Sequence, residues 1–434
     1  MRISVIGCGY LGAVHAACMA ELGHDVVGVD VDEHKVAELS AGRAPFFEPG
    51  LPEVLARGVA SGRLRFTTDM AEAAGAQVHF VAVGTPQTAG SHAADLRYVD
   101  AAVGGLLPYL ADGDLVVGKS TVPVGTAARL GDLVRASSGA DLAWNPEFLR
   151  EGFAVADTLS PDRFVYGVPG GEGGDRATAL LDEVYAGPLA GGMPRLVTDY
   201  ATAELVKVSA NAFLATKISF INAMAEIAEA TGADVTQLAD AIGHDARIGR
   251  RFLNAGLGFG GGCLPKDIRA FQARADELGL DSLAFLADVD AVNLRRRRRV
   301  VDLTAEMLGV VEGARVAVLG VAFKPDSDDV RDSPALDVAR ALRAAGADVV
   351  VHDPEATATA AKVAPELVYV DDADTALAGA DIVLVLTEWR VFRDLDPAHV
   401  ASLVAGRRIV DARNVLDLGA WRAAGFDARG LGRP

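Results

Sequence analysis

Residues 2–30, RISVIGCGYLGAVHAACMAELGHDVVGVD, decide the fold. An apolar run (2–7) leads into Gly7-Cys8-Gly9-Tyr10-Leu11-Gly12, a helical pattern continues to about Leu22, and a second apolar run (25–29) stops at Asp30. Strand, glycine turn, helix, strand and an acid about 20 positions on is the arrangement that binds a dinucleotide. Gly7 and Gly9 permit the tight turn and the close approach of a pyrophosphate, Gly12 lets helix and strand pack, and the helix dipole faces the phosphates. Asp30 points to NAD and away from NADP, because a carboxylate bonds a ribose 2′-hydroxyl and repels a 2′-phosphate.

The alternation continues outward. Residues 77–83 end in Gly84-Thr85-Pro86, 114–118 at Lys119-Ser120-Thr121, and 141–144 at Asn145-Pro146-Glu147. Polar residues at successive strand ends are where a doubly wound sheet holds its ligand, which makes Thr85, Thr121 and Glu147 site candidates. Taken singly, each is equally a turn residue. From about Tyr200 the texture turns helical: residues 203–231 contain no Pro or Gly and predict a helix of about 40 Å. Lys207 and Asn211, at i and i+4, project from one face, with a solvated face as the plain alternative. A second long helix (about 282–308) leads to a strand at 315–319, followed by Gly320-Val321-Ala322-Phe323-Lys324-Pro325. A helix (335–345), a strand (348–351) ending at His352-Asp353, and later strands at 380–386 and 408–410 complete a second wound half. It lacks the pyrophosphate fingerprint and suits a different nucleotide. The predicted class is α/β, with two Rossmann-like doubly wound domains joined by a helical central domain. The predicted domains are residues 1–195 (NAD-binding), 196–308 (helical) and 309–434 (second nucleotide-binding).

Composition excludes other classes. A formal charge of −18 over 434 residues argues against nucleic acid as a partner. The one basic run, 295–299, lies in a long helical pattern and reads as a solvated face or an inter-subunit contact. Three cysteines, Cys8, Cys18 and Cys263, cannot form a disulfide framework, so a reducing cytoplasm is expected. No stretch approaches the ~20 apolar residues that span a bilayer, and neither membrane nor metal is expected.

The most chemical stretch is GLGFGGGCLPKD (256–267). Its glycines deliver Cys263 to the start of a helix in which Pro265 suits the first turn. A helix N-terminus stabilises a thiolate, so Cys263 is a candidate nucleophile, or else an ordinary buried thiol.

Cys263 in GFGGGCLPKD, Lys207 with Asn211, KSTVPVGT (119–126), NPEFLREG (145–152) and the N-terminal fingerprint occur here in the order found in one family. The chain resembles the UDP-glucose/GDP-mannose dehydrogenases over nearly its whole length. The resemblance implies NAD-dependent, four-electron oxidation of the C6 alcohol of UDP-glucose to UDP-glucuronate, through a thiohemiacetal and a thioester on Cys263. GDP-mannose or a UDP-N-acetylhexosamine is the alternative substrate, and a two-electron hydroxyacid dehydrogenase the alternative class. By resemblance Lys207 and Asn211 stabilise the oxyanion, Asp267 assists proton transfer, Glu147 is the base for hydrolysis and Thr121 positions water. Cofactor contacts implied are Gly7, Gly9, Tyr10, Leu11, Gly12, Asp30, Lys35, Thr85, Thr121, Glu151, Lys266 and Arg331. For the nucleotide sugar they are Phe148, Leu149, Arg150, Glu151, Lys207, Asn211, Asn254, Phe259, Gly260, Gly261, Cys263, Phe323, Lys324 and Arg413. Arg247 matches an arginine lent across a subunit interface, which implies a homodimer or a larger homo-oligomer. Gly262 departs from the bulkier residue common before the cysteine, and loop 88–95 lacks the family's Asp-Gly pair.

Overall fold

The structure, a computed structural model, describes residues 1–434. It divides into two compact units: Met1–Ala210 with Ala273–Gly279, and Asn211–Gln272 with Leu280–Pro434.

The first unit is built on eight strands: β1 (Arg2–Ile6), β2 (Asp25–Val29), β3 (Leu64–Thr67), β4 (Val78–Val81), β5 (Leu115–Gly118), β6 (Asp141–Trp144), β7 (Phe164–Gly167) and β8 (Arg195–Thr198). Their order is β3-β2-β1-β4-β5-β6-β7-β8, parallel throughout except where β6 meets β7. The chain reverses its direction of travel across the sheet between β1 and β4, which opens the crevice where such folds bind ligands. The near-continuous apolar strands reflect burial on both faces. Ile3, Val5, Met19, Phe80 and Tyr166 fill one side, while Ile6, Val29, Leu130 and Trp144 fill the other.

The second unit carries six all-parallel strands: β9 (Arg315–Leu319), β10 (Asp348–His352), β11 (Val368–Tyr369), β12 (Ile382–Val385), β13 (Arg408–Asp411) and β14 (Asp427–Gly430). The order, β11-β10-β9-β12-β13-β14, repeats that of the first six strands of the other sheet. The predicted central helix is observed as Tyr200–Thr231. Its 32 residues span about 48 Å and continue across the boundary between the units. Helices Leu264–Glu277 and Phe285–Leu308 complete the cradle of the cysteine loop.

One expectation is corrected here. The basic run 295–299 is not a solvated face: Arg296 and Arg297 are buried, at 0% and 6% exposure. Helical periodicity turns these two inward. Arg296 pairs with Glu229 at 2.9 Å, and Arg297 pairs with Asp332 at 2.8 Å and with Asp337. Only Arg295 and Arg298 of the run are exposed.

Candidate active site

In the first unit, Gly7 ends β1 at φ +89°, and a Cβ there would lie 2.6 Å from Val83. At Gly12 a Cβ would stand 1.8 Å from the Gly7 carbonyl, so only glycine lets the helix Tyr10–Glu21 start against the strand. No side chain caps that helix, and the space beside Gly9 is open. Its first amides are thus available to an anion. Asp30 accepts from the Cys8 amide at 2.7 Å and the Asp32 amide at 3.0 Å, and Lys35 Nζ reaches both of its oxygens at 3.0 Å. An uncapped helix start, an open glycine and a carboxylate held at the next strand end fit NAD. Tyr10 donates its hydroxyl to the buried Glu48, and burial followed by that bond pushes the phenol pKa well up.

The strand-end loops lock together. Thr85 Oγ1 donates to the Thr121 carbonyl at 2.8 Å, which brings two predicted residues into contact. The buried Glu204 carboxylate takes the Gly125 and Ala127 amides at 2.8 and 2.7 Å and so anchors the far end of the Thr121 loop. Glu147 Oε1 accepts from the amides of Phe148 and Leu149 at 2.8 and 3.1 Å, while Oε2 pairs with Lys119 Nζ at 3.0 Å. Lys119 is itself buried and also donates to Asn145 Oδ1 at 3.0 Å, a group shared with the Tyr185 hydroxyl at 2.8 Å. Phe148 carries Arg163 at 4.1 Å and Lys207 Nζ at 5.4 Å from its ring centroid. A cation over an aromatic face is attracted by the ring quadrupole, so the ring steadies the Lys207 ammonium. Arg150, expected at the sugar, is paired to Asp157 at 2.7–2.8 Å. Leu149 packs on the apolar core, and Glu151 is half-buried.

In the second unit, Cys263 is exposed, which removes the buried-thiol reading; Cys8 and Cys18 are buried. Its carbonyl accepts from the Asp267 amide at 2.9 Å, so Cys263 occupies the N-terminal cap position of the helix Leu264–Glu277, the end at which the dipole is positive. Burial raises the other two thiols, Cys18 to about 12. Asp267, 3% exposed, takes Asn211 Nδ2 at 2.6 Å and pairs with Lys266. Asn211 keeps a second N–H for another acceptor.

Other predicted contacts serve this loop. Arg413 donates to the carbonyls of Leu386, Gly258 and Phe323 at 2.8–3.1 Å, bracing the backbone at Gly258 and Phe323. The Phe323 ring fills the space a Cβ on Gly261 would need, and the Arg331 guanidinium does the same at Gly262. A Cβ on Gly260 would lie 2.3 Å from the Asp332 carbonyl. Lys324 sits 5.4 Å from the Phe323 ring centroid, and Asn254 accepts from Arg250 at 2.8 Å. The guanidinium of Arg247 is paired to Asp245 on a side chain that is 89% exposed.

Three residues of this framework have no role among the sequence expectations. Lys119 stands inside the KSTVPVGT motif, and a lysine at a strand end next to a carboxylate loop is a detectable signal. Glu48 binds the Gly152 and Ala154 amides, each at 2.7 Å, and nothing local in FFEPG announces that. Asn293 precedes Arg296 and Arg297 at i+3 and i+4, a spacing that marks one helix face.

Two Rossmann-type units, one with an open dinucleotide loop and one presenting a cysteine at a helix start, define a dinucleotide-dependent dehydrogenase that works on a second nucleotide ligand. Residues 1–187, 201–295 and 317–418 match, in turn, the NAD binding, central and UDP binding domains of the UDP-glucose/GDP-mannose dehydrogenase family. The chain belongs to that family, and its cofactor is NAD. It is 43% identical to a UDP-glucose 6-dehydrogenase of Rhizobium meliloti, with both chains covered in full. It is 45% identical to one of Haloferax volcanii over 96% of this chain and 99% of that one. A UDP-glucose dehydrogenase structure from Pyrobaculum islandicum superposes with a TM-score of 0.90 at 41% identity, covering 100% and 98% of the two chains. No helix is long and apolar enough to cross a membrane.

Proposed function

We propose that this chain oxidises the C6 alcohol of UDP-glucose to the carboxylate of UDP-glucuronate through a covalent intermediate on Cys263. The observation that carries the reading is an exposed cysteine at the N-terminal cap position of a helix whose first turn holds Asp267 bonded to Asn211. NAD, when bound, accepts one hydride in each of two oxidations. In the first, the hydroxyl proton leaves with help from Asp267, and the Lys207 ammonium and the remaining N–H of Asn211 stabilise the developing oxyanion. An aldehyde has no hydride to give until a nucleophile adds. The Cys263 thiolate forms an S–C bond to C6, and the carbonyl oxygen takes up the electron pair as a thiohemiacetal. Loss of the second hydride leaves a thioester. Water positioned by Thr121 and deprotonated by Glu147 attacks C6, the C–S bond breaks, and carboxylate and thiolate are released.

The relatives at 43% and 45% identity, named for UDP-glucose, support that sugar. A UDP-D-ManNAc dehydrogenase structure from Pyrococcus horikoshii, 26% identical at a TM-score of 0.87, keeps a UDP-N-acetylhexosamine as the second reading. We also read the chain as three functional segments, 1–195, 196–308 and 309–434, as a homodimer or a larger homo-oligomer and as cytoplasmic. Support for the dimer is an exposed apolar row on the central helix: Phe213, Phe220 and Ile227, seven residues apart, together with the outward Arg247.

The test is NADH yield per limiting UDP-glucose under excess NAD. Two per sugar supports the alcohol-to-acid route; one per sugar removes the thioester; none, with turnover of another nucleotide sugar, replaces the substrate. Cys263→Ser should keep ligand binding and lose turnover, and near-parental rates would discard the covalent step.

A further inference from the structure

The arginine run leads to a role for the helix that bears it. Asn293 is fully buried; its Oδ1 accepts from the Phe259 amide at 2.7 Å and its Nδ2 donates to the Phe259 carbonyl at 2.9 Å. One side chain therefore closes both backbone bonds of one residue, as a neighbouring strand would. Arg297 adds a donor to the same carbonyl at 3.2 Å and is held by Asp332 and Asp337. Arg296 Nε reaches the Gly256 carbonyl at 3.4 Å, and Asn222 Oδ1 takes the Gly256 amide at 2.8 Å. Gly258, at φ +104°, has no room for a Cβ, which would lie 2.4 Å from Asn293 Oδ1.

Phe259 is where the glycine run 260–262 begins, and that run ends on the thiol. Three glycines have no conformational preference that aims a chain. The direction of Cys263 is set by anchors around the run: Phe259 before it, the Gly261 amide bonded to the Arg331 carbonyl at 2.9 Å within it, and the helix Leu264–Glu277 after it. The buried amide and carbonyl of Phe259 have to be satisfied by something, and Asn293 satisfies both.

We propose that Asn293, backed by Arg297, is the positioning residue for Cys263: by fixing both backbone bonds of Phe259 it sets where the thiol stands. The proposal rests on Cys263 being the nucleophile. Asn293→Asp keeps the shape and the acceptor but loses the donor and sets a carboxylate against the Phe259 carbonyl. Arg297→Lys keeps a charge near Asp332 and loses the fork.

The experiment measures kcat and KM for UDP-glucose, and the rate at which iodoacetamide alkylates Cys263, on full-length variants shown by circular dichroism to be folded. The other two cysteines are buried, so one thiol reports. Asn293→Asp should lower kcat by about 10- to 100-fold with KM little changed, and should slow alkylation severalfold. Arg297→Lys should show the same pattern more weakly, and it carries the test alone if Asn293→Asp does not fold. Parental kcat and alkylation rate in a folded variant would overturn the proposal. A rise in KM with kcat intact would overturn it too, since Asn293 would then act on sugar binding. If Cys263→Ser turns over normally, the covalent reading fails by itself, whereas the alkylation rates still report whether Asn293 sets the thiol.

Discussion

The loops after β1 and β9 begin alike and end differently. Gly7 and Gly320 both close their strands at positive φ, +89° and +95°, and each donates 2.8 Å to the last residue of the neighbouring strand, Val29 or His352. Just beyond each neighbouring strand an aspartate takes amides from the first loop: Asp30 from Cys8 at 2.7 Å, Asp353 from Val321 and Ala322 at 2.8 and 2.9 Å. Then they part. The first loop enters a helix at Tyr10 with no side-chain cap; the second runs on to Pro334, where Ser333 caps the helix by accepting from Leu336 at 3.3 Å. Asp353 also takes the Glu355 and Ala356 amides and Trp389 Nε1, and is 2% exposed. Asp30 has Lys35 instead, a flexible partner that a ribose can displace. The same fold position is closed by four backbone amides and a buried indole in the second unit, whereas in the first it is held by two amides and a flexible ammonium.

The largest effect that can break this comparison is at Asp353. Asp353→Ala leaves five donors without their acceptor and should cost ~3–5 kcal/mol, read by urea unfolding, with NAD affinity unchanged. A loss under 1 kcal/mol, on the order of a surface change, would mean that water replaces the carboxylate and that Asp353 does not hold the second loop closed. Asp30→Ala should do the reverse. It should weaken NAD by ~1.5–3 kcal/mol in titration calorimetry, the worth of hydrogen bonds to a charged group, with a smaller change in stability. Equal NAD affinity in this variant would place the ribose elsewhere.

What was legible follows the same line. The first wound half, the central helix and the cysteine at a helix start could be read because each is a local pattern: glycine spacing, a run without Pro or Gly, a cap. The missing fingerprint at Gly320 was legible too, as was its consequence for the nucleotide. The inward turn of Arg296 and Arg297 was not. Periodicity says which residues share a face, and the partners that make burial tolerable, Glu229, Asp332 and Asp337, are 35 to 67 positions away. Lys119 hides for the same reason, because its cage is completed by Tyr185, 66 residues on. Chain-distant partners also fix Glu48, which no local motif marks.

A pH test sharpens the contrast from the side of the first unit. His15 is buried on the fingerprint helix against Phe80, with no hydrogen-bond partner at either ring nitrogen, and burial, then Lys119 and His24, depress its pKa well below the ordinary value. In the unfolded chain it titrates near 6.5, so below about that pH the unfolded state binds a proton that the folded state refuses. Stability contributed by keeping His15 neutral is therefore present above about pH 6.5 and is lost on acidification, by up to ~1.4 kcal/mol per pH unit. His15→Phe should flatten the dependence between about pH 7 and 5 in denaturant melts at fixed ionic strength. An unchanged slope would assign the acid limb to other groups, such as His24, whose pKa burial also lowers.

The smallest effects lie at the two helix starts and separate a cap from a ligand site. Ser333→Ala removes the cap of the second helix and should cost about 1 kcal/mol, with no effect on NAD. Gly9→Asp is the opposite experiment. Gly9 sits at φ −67° and ψ −165°, which aspartate adopts freely, and a Cβ there meets nothing within 4 Å. The new carboxylate should cap the first helix and favour its dipole, stabilising the protein without NAD by a few tenths of a kcal/mol. The same charge would stand where the pyrophosphate approaches, so NAD binding should disappear from calorimetry. A variant that is no less stable and yet no longer binds NAD separates the two uses of one helix N-terminus. If NAD binds it as well as it binds the parent, the open start of that helix is not where the phosphates go, and the contrast with the capped helix at Pro334 loses its meaning.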